Sequence, residues 1–323
     1  MILGLDFYFI IPLIIASFIL LSLVAMGALY SERSGVVNIA LEGIMVMGGF
    51  VGVLVMRNLE STDMSVQMIA VVGLFVGGII GIAFSFFHAY AAINVKANQI
   101  ISATALNLFA PALAIFTAKI INDDNSRRIV LEENYRIDSV PLLGEIPIIG
   151  DLFFKGAYLS TYIGIALFAL ATLILFKTRL GLRIRSCGEN PHAADSLGIN
   201  IYKIRYVGVL TSGFFAGMGG VIYVLSFANR YEASVVGFGF LALAVLIFGQ
   251  WHPKKILYAA LFFATMRVIG SVYTSIDILD RLPLSSDMYR MVPYIATLIV
   301  LALASKSSRA PRAVGEPYDP GQR

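Results

Sequence analysis

Apolar residues along this chain are grouped in long blocks that are separated by short polar segments. Most blocks approach the roughly 20 residues that an α-helix needs to cross the hydrocarbon core of a bilayer. The pattern predicts an all-α integral membrane protein with about nine transmembrane helices. They are predicted near residues 9–29, 35–56, 66–90, 99–121, 157–176, 207–228, 236–250, 256–276 and 288–304.

Composition supports this fold class. Hydrophobic residues make up 58% of the 323 residues and charged residues only 14%, whereas soluble domains are about one quarter charged. The first block, 9–29, has no basic residue before it and no small-residue cleavage site after it. We therefore interpret it as a retained helix rather than a secretion signal.

The two longest loops differ in the sign of their charge. Residues 177–206 contain six basic and two acidic residues, and residues 122–156 contain seven acidic and four basic residues. Because Lys and Arg collect on the cytoplasmic side of membrane proteins, the first loop is predicted inside and the second outside. Nine alternating helices then put the N-terminus outside and the C-terminus inside. The net charge of +4 thus bears on topology, and we expect no nucleic acid partner.

A single transmembrane domain is predicted over residues 1–304. The remaining segment, 305–323, is rich in Pro, Gly and charged residues. Such a composition buries too little apolar surface to offset the entropy of ordering. We therefore predict a flexible cytoplasmic tail.

Two segments interrupt the hydrophobic pattern, one in each half of the chain. The first carries Asn38 and Glu42, which are four residues apart and share a helix face. The second, 236–250, is short for a span and has glycines near both ends. Interrupted helices in both halves of a transporter mark a central binding site, so Asn38, Glu42 and the deeper Asn107 are predicted to line a solute pathway. For Glu42 the alternative is a helix cap or an ion pair with Arg33.

Motifs for catalysis are missing from the sequence. No Gly-x-x-x-x-Gly-Lys-Ser/Thr phosphate loop, Gly-x-Ser-x-Gly elbow or His-Glu-x-x-His metal motif occurs. The single Cys187 excludes an internal disulfide and a cysteine metal cluster, and His252 has no second ligand at a suitable spacing. We expect a protein that is not an enzyme and that binds no cofactor or metal of its own.

The basic loop contains the signals of a short helix. Asn190 and Pro191 are typical of a helix start, with Pro at the first helical position, and Gly198 is typical of a helix end. Ala194 and Leu197 are three residues apart and predicted to share a face, with Ala193 alongside. Such a face suits insertion into a groove on another protein; an ordinary connecting helix is the alternative.

Short motifs spread over residues 10–304 form a further pattern. They are Glu-Arg-Ser-Gly-Val-Val-Asn (32–38), Leu-Glu-Gly (41–43), Lys-Ala-Asn-Gln (96–99), Ala-Leu-Asn (105–107), Gly-Glu-Asn-Pro (188–191) and Gly-Gln-Trp-His-Pro (249–253). Together they resemble the branched-chain amino acid and ribose permease family of ATP-binding-cassette importers, and within it the permeases for nucleosides. Ala193-Ala194-x-x-x-Gly198 is similar to the coupling loop of such importers, although His192 replaces the usual Glu and a later Ile-x-Leu-Pro is missing.

This resemblance implies two inverted repeats around the coupling loop 177–206, and alternating access in a bacterial cytoplasmic membrane. The implied partners are a second permease in a heterodimer, two ATPase domains that use the ATP, and an extracytoplasmic substrate-binding lipoprotein. The ATPase domains would dock on the 188–199 helix through Gly188, Glu189, Asn190, Pro191, Ala193, Ala194, Leu197 and Gly198.

Nucleosides are the solute that the resemblance implies. Riboflavin, simple sugars and branched-chain amino acids are alternatives, because related permeases carry them. A stand-alone secondary transporter is the alternative from another functional class. A carrier of that class would usually show paired ionisable residues inside the membrane, and Glu42 alone is weak support for one.

Overall fold

A computed structural model describes residues 7–122, 125–140, 143–147, 149–228, 230–273, 288–289, 291, 295 and 310–321. Its helices are α1 (Phe7–Arg33), α2 (Leu41–Leu59), α3 (Val66–Ala89), α4 (Gln99–Ile121), α5 (Ile149–Phe153), α6 (Leu159–Lys177), α7 (Arg179–Glu189), α8 (Pro191–Ser196), α9 (Ile201–Tyr223), α10 (Phe238–Phe248) and α11 (Pro253–Ser271). Strand β1 (Ile129–Val130) pairs with β4 (Arg230–Tyr231), and β2 (Arg136–Ser139) pairs with β3 (Lys155–Tyr158), both antiparallel.

The predicted all-α membrane class is confirmed. Six of the described helices are long and apolar enough to cross a membrane, namely α1 to α4, α6 and α9. Helix α10, within the predicted span 236–250, has only 11 residues and is about 16 Å long. Helix α11 covers most of the predicted span 256–276, and nearly all of the span 288–304 lies outside the described residues. The number nine and the inverted repeats therefore stay predictions.

Helices α2, α3 and α9 pack through rows of glycines at the centre of the bundle. Gly77 on α3 lies against Gly48 and Gly217, and Gly81 lies against Gly213. A Cβ atom on Gly217 would be 2.1 Å from the carbonyl oxygen of Gly77, which leaves no room for a side chain. Small residues let helix backbones approach closely in lipid, where apolar side chains gain little from leaving their surroundings.

The loops gather at two opposite ends of the bundle, in the groups that the charge pattern predicts. One end, here named the α8 end, holds segments 95–98, 178–200, 249–252 and 310–321. The other, named the strand end, holds segments 60–65, 125–140, 149–158 and 230–236. Long-range contacts tie each group together. Tyr135 donates to Glu60 Oε1 at 2.8 Å at the strand end, and Lys96 Nζ lies 3.3 Å from Asp319 Oδ1 at the α8 end.

The expectation of a flexible tail is wrong for residues 310–321, which lie against the α8 end. Arg205, only 1% exposed, donates from Nη1 to the carbonyl oxygen of Glu316 at 2.9 Å. The buried ring of Tyr318 packs against His192 and Tyr202. These contacts give a proline-rich and glycine-rich segment enough partners to offset its ordering entropy. The prediction from composition considered only the segment itself, and it could not include the surface of the bundle against which the segment packs.

Replacement of Gly217 by Ala should destabilise the bundle, because the new methyl group has no space against Gly77. Overpacking of this kind costs on the order of 1–3 kcal/mol. The thermal midpoint of the detergent-solubilised protein would be measured beside Ala112→Val, which adds two methyl groups at an exposed position. Equal midpoints for the two variants would contradict the close approach of the backbones.

Candidate transport site and coupling segment

The candidate transport site is built around a break at the start of the second predicted span, 35–56. Helix α1 ends at Arg33 and α2 begins at Leu41, so residues 34–40 are not helical. The side chains of this break are largely buried, and those of Ser34 and Asn38 are fully so. Non-helical backbone at membrane depth must find hydrogen-bond partners within the protein, because lipid offers none.

Side chains of neighbouring helices supply these partners. The pairs are Ser31 Oγ to Val36 O (2.7 Å), Val37 N to Gln99 Oε1 (2.8 Å), His88 Nε2 to Val37 O (2.8 Å) and Asn107 Nδ2 to Ile39 O (2.9 Å). Since a carbonyl oxygen only accepts hydrogen bonds, the contact with Val37 requires a proton on Nε2 of the buried His88. Sequence reasoning missed His88 and Gln99 as site residues. Their polarity beside an apolar block is the signal that could have found them.

Asn38 and Asn107 are both engaged in bonds within the chain. Asn107 also accepts from the backbone nitrogen of Gly43 at 2.8 Å, so one amide spans the end of the break and the start of α2. Asn38 donates to Ser212 Oγ on α9 at 3.0 Å and accepts from the nitrogen of Ala40 at 3.1 Å. These contacts give both residues a structural role. Asn107 is half-buried and Asn38 is fully buried, and their place on a solute pathway stays a prediction.

Glu42 joins the two interrupted segments. Its Oε1 accepts from the nitrogen of Gly237 and its Oε2 from the nitrogen of Gly239, both at 2.8 Å. These amides belong to the start of α10, where a carboxylate satisfies free donors and interacts favourably with the helix dipole. Glu42 therefore caps a helix, as the alternative interpretation held, but the helix lies in the other half of the chain. The other alternative, a pair with Arg33, is wrong: Arg33 Nη1 lies 3.2 Å from Glu189 Oε1.

Glycines at the start of α10 make this contact possible. Gly237 has a φ of +79°, in the left-handed region that favours glycine. A Cβ on Gly239 would lie 2.5 Å from the backbone nitrogen of Glu42. The backbones of α2 and α10 thus meet at the carboxylate. Arg267 also binds this region, because its Nη2 donates to the carbonyl oxygen of Val236 at 2.8 Å. The halves of the chain are joined here through main-chain amides rather than through a pair of side chains.

The predicted start and end of the short helix in the basic loop are confirmed. Asn190 Oδ1 accepts from the nitrogen of Ala193 at 3.0 Å, and Pro191 is the first residue of α8. Gly198 has a φ of +77°, which is the left-handed conformation expected of a residue that ends a helix. The six residues of α8 therefore begin and stop where the local signals place them.

The predicted shared face of Ala194 and Leu197 is wrong. Ala194 is 2% exposed and packs into the bundle, whereas Leu197 is 81% exposed. Helix α8 ends at Ser196, so Leu197 follows the last helical residue and points away from the buried side. Ala193 is exposed as well. The surface that α8 offers to another protein therefore contains Ala193 and Leu197, without Ala194.

Gly188 and Glu189 attach this segment to the bundle. A Cβ on Gly188 would lie 2.3 Å from the carbonyl oxygen of Arg33, so only glycine fits there. Its own carbonyl oxygen accepts from the nitrogen of Ala313 in the tail at 2.9 Å. The start of the segment is fixed against α1, while α8 projects an exposed surface beyond it. A role of Gly188, Glu189, Asn190, Pro191 and Gly198 in ATPase coupling stays a prediction.

Interrupted segments that meet at a carboxylate, within a bundle of helices long and apolar enough to cross a membrane, are typical of membrane transport proteins. The chain belongs to the family described as "Branched-chain amino acid transport system / permease component", whose model matches residues 10–301. It is similar, at 41% identity, to the nucleoside ABC transporter permease protein NupC of Lactococcus lactis, over 91% of each chain. It is also 41% identical to the guanosine ABC transporter permease protein NupQ of Bacillus subtilis, over 94% of each. A shorter match, 31% identical over 32% of this chain and 29% of the relative, is to the nucleoside ABC transporter permease protein NupB of Lactococcus lactis.

A graded pair of variants separates the structural and pathway roles of Asn107. Asn107→Leu leaves Ile39 O and Gly43 N without their partner, which costs on the order of 1–3 kcal/mol for each group that stays buried. Asn107→Gln keeps both an amide donor and an amide acceptor and should lose less stability. The thermal midpoint and solute uptake would be measured for both. An unchanged midpoint with abolished uptake in the Leu variant would contradict the structural role.

Proposed function

We propose that this chain is the membrane permease subunit of an ATP-driven importer for nucleosides. The supporting observation is the 41% identity to two permeases named for nucleoside and guanosine transport, over more than nine tenths of every chain compared. The sequence contains no phosphate-binding loop, so ATP would be hydrolysed by separate subunits. The cofactor ATP would then never contact this chain.

The solute path is proposed to pass beside the junction of the two interrupted segments. Glu42 and Asn107 are half-buried there, and both carry polar atoms that bond the starts of α10 and α2. Asn38 would stabilise the break beside the path, through its bond to Ser212. Alternating access would open the path to one side of the membrane at a time, as the junction shifts between two arrangements.

The partners are proposed from the same comparisons. NupB and NupC are both named nucleoside ABC transporter permeases and come from one organism, which supports a second, different permease beside this chain. Two ATPase domains would dock on the exposed side of α8, around Ala193 and Leu197. A substrate-binding lipoprotein would dock at the strand end, which would face outward from a bacterial cytoplasmic membrane.

Uptake into proteoliposomes tests this proposal. The chain would be purified in complex with the second permease, ATPase and lipoprotein of its system, and vesicles would be supplied with radiolabelled guanosine, riboflavin, glucose or leucine. We expect ATP-dependent accumulation of the nucleoside only. Accumulation driven by an ion gradient without ATP would instead identify a secondary transporter, and uptake of another solute would correct the substrate.

Single cysteines test the proposed orientation. Ser139 at the strand end and Ser196 at the α8 end are both exposed. An impermeant maleimide should label Ser139→Cys in intact cells and Ser196→Cys only after permeabilisation, because the basic loop is predicted inside. The native Cys187 gives little background, since burial raises the pKa of its thiol to about 11 and the thiolate is the reactive form. Labelling in the opposite order would invert the topology.

Replacement of Leu197 by Arg tests the docking of the ATPase. Leu197 is 81% exposed, so the change leaves the fold intact but places a charge in the proposed interface. An unpaired buried charge costs several kcal/mol, and about 1.4 kcal/mol already weakens binding tenfold. Co-purification of the ATPase should therefore fall at least about tenfold. Leu143→Arg, at the exposed strand end, is the control, and equal recovery from both variants would contradict the assignment.

A further inference from the structure

Arg33, the last residue of α1, contacts two separate loops at the α8 end. Its Nη1 donates to Glu189 Oε1 at 3.2 Å, and its Nη2 donates to the backbone carbonyl oxygen of Trp251 at 2.8 Å. Glu189 lies two residues before α8, and Trp251 lies in the turn between α10 and α11. The side chain of Arg33 is only 15% exposed. A guanidinium group holds both acceptors in a fixed geometry, so Arg33 sets the distance between the coupling segment and this turn.

The turn that Arg33 holds has an unusual backbone. Gln250 and Trp251 have φ angles of +48° and +52°, a region that bulky residues rarely adopt. Such a conformation persists only where the surroundings impose it, and it is often part of a switch. Here the imposed contacts come from consecutive residues of α1. Glu32 Oε2 accepts from the indole nitrogen of the buried Trp251, while Arg33 binds the carbonyl oxygen of the same residue.

Helix α10 connects this turn to the centre of the protein. It ends at Phe248, directly before the turn, and its other end is held by Glu42 through the amides of Gly237 and Gly239. An α-helix of 11 residues is a rigid body about 16 Å long. Any displacement of the turn therefore reaches the carboxylate that joins the two interrupted segments.

We propose that Arg33 is the positioning residue that transmits movement of the coupling segment through α10 to Glu42. This inference rests on the proposed function, because the ATPase subunits supply the movement. A displacement of α8 moves Glu189, and with it the guanidinium group that holds Trp251 in its left-handed conformation. Release of the carbonyl lets the turn adopt ordinary backbone angles, and α10 shifts its amides relative to the Glu42 carboxylate. The motifs at 32–38, 188–191 and 249–253 then act as one unit.

Replacement of Arg33 by Met in the complete complex tests this route. Methionine keeps an unbranched apolar side chain but cannot donate to Glu189 or Trp251. We expect the complex to assemble and to hydrolyse ATP, while the amount of nucleoside taken up per ATP falls about tenfold, within the usual range of allosteric coupling. Arg33→Lys, which keeps one charged donor, should recover part of this ratio. Arg183→Met, which changes an exposed arginine on α7, should leave it unchanged.

The ratio of uptake to hydrolysis separates transmission from a purely structural role. A normal ratio in Arg33→Met, or a parallel loss of uptake and hydrolysis, would overturn the proposal. If that variant fails to assemble, Trp251→Phe decides, because its smaller aromatic ring cannot donate to Glu32 and the turn loses one of its contacts from α1. It should lower the ratio as well, and a normal ratio there would overturn the route. Absence of ATP-dependent uptake in the wild-type complex would instead contradict the proposed function.

Discussion

The hydrogen-bonding requirement of the broken backbone at residues 34–40 governs the arrangement of the helices around it. Each amide or carbonyl group left without a partner in an apolar bundle would cost as much as a lost hydrogen bond. His88 from α3 and Gln99 and Asn107 from α4 meet this requirement, and each reaches a different group of the break. The positions of α3 and α4 relative to α2 are therefore set by polar contacts as well as by packing. Any rearrangement of the break during transport must move these helices or exchange their bonds.

The close approach of glycine rows determines which side chains can reach the break. Because Gly81 on α3 and Gly213 on α9 touch through their backbones, the neighbouring Ser212 comes within 3.0 Å of Asn38. A bulkier contact would hold α9 away and leave the Asn38 amide buried without its partner. The glycines thus serve the hydrogen bonds of the break, and two features that are far apart in the sequence depend on each other. For this reason a methyl group on Gly217 should weaken the hydrogen bonds of the break as well as disturb its own contact with Gly77.

Patterns that repeat along one segment could be predicted from the sequence, and contacts between distant segments could not. The apolar blocks, the glycine spacing and the limits of α8 at Asn190 and Gly198 are local signals, and the structure confirms them. The partner of Glu42 lies 195 residues away, where spacing carries no information. The burial of Ala194 depends on the surface behind α8. For Glu42 and Ala194 the sequence shows which side chain is present, but tertiary packing decides which atoms that side chain contacts.

The way in which α8 is attached determines where a force on it can enter the bundle. Its exposed residues, Ala193 and Leu197, lie five and nine positions beyond Gly188, which is held between the carbonyl of Arg33 and the nitrogen of Ala313. A force on the exposed side would therefore reach the bundle through the residues next to Gly188. One of these is Glu189, whose carboxylate is bound to Arg33. A single hydrogen-bonded guanidinium group therefore lies beside the residue that attaches the segment to the bundle. The tail strengthens this attachment, because the nitrogen of Ala313 donates to the carbonyl oxygen of Gly188.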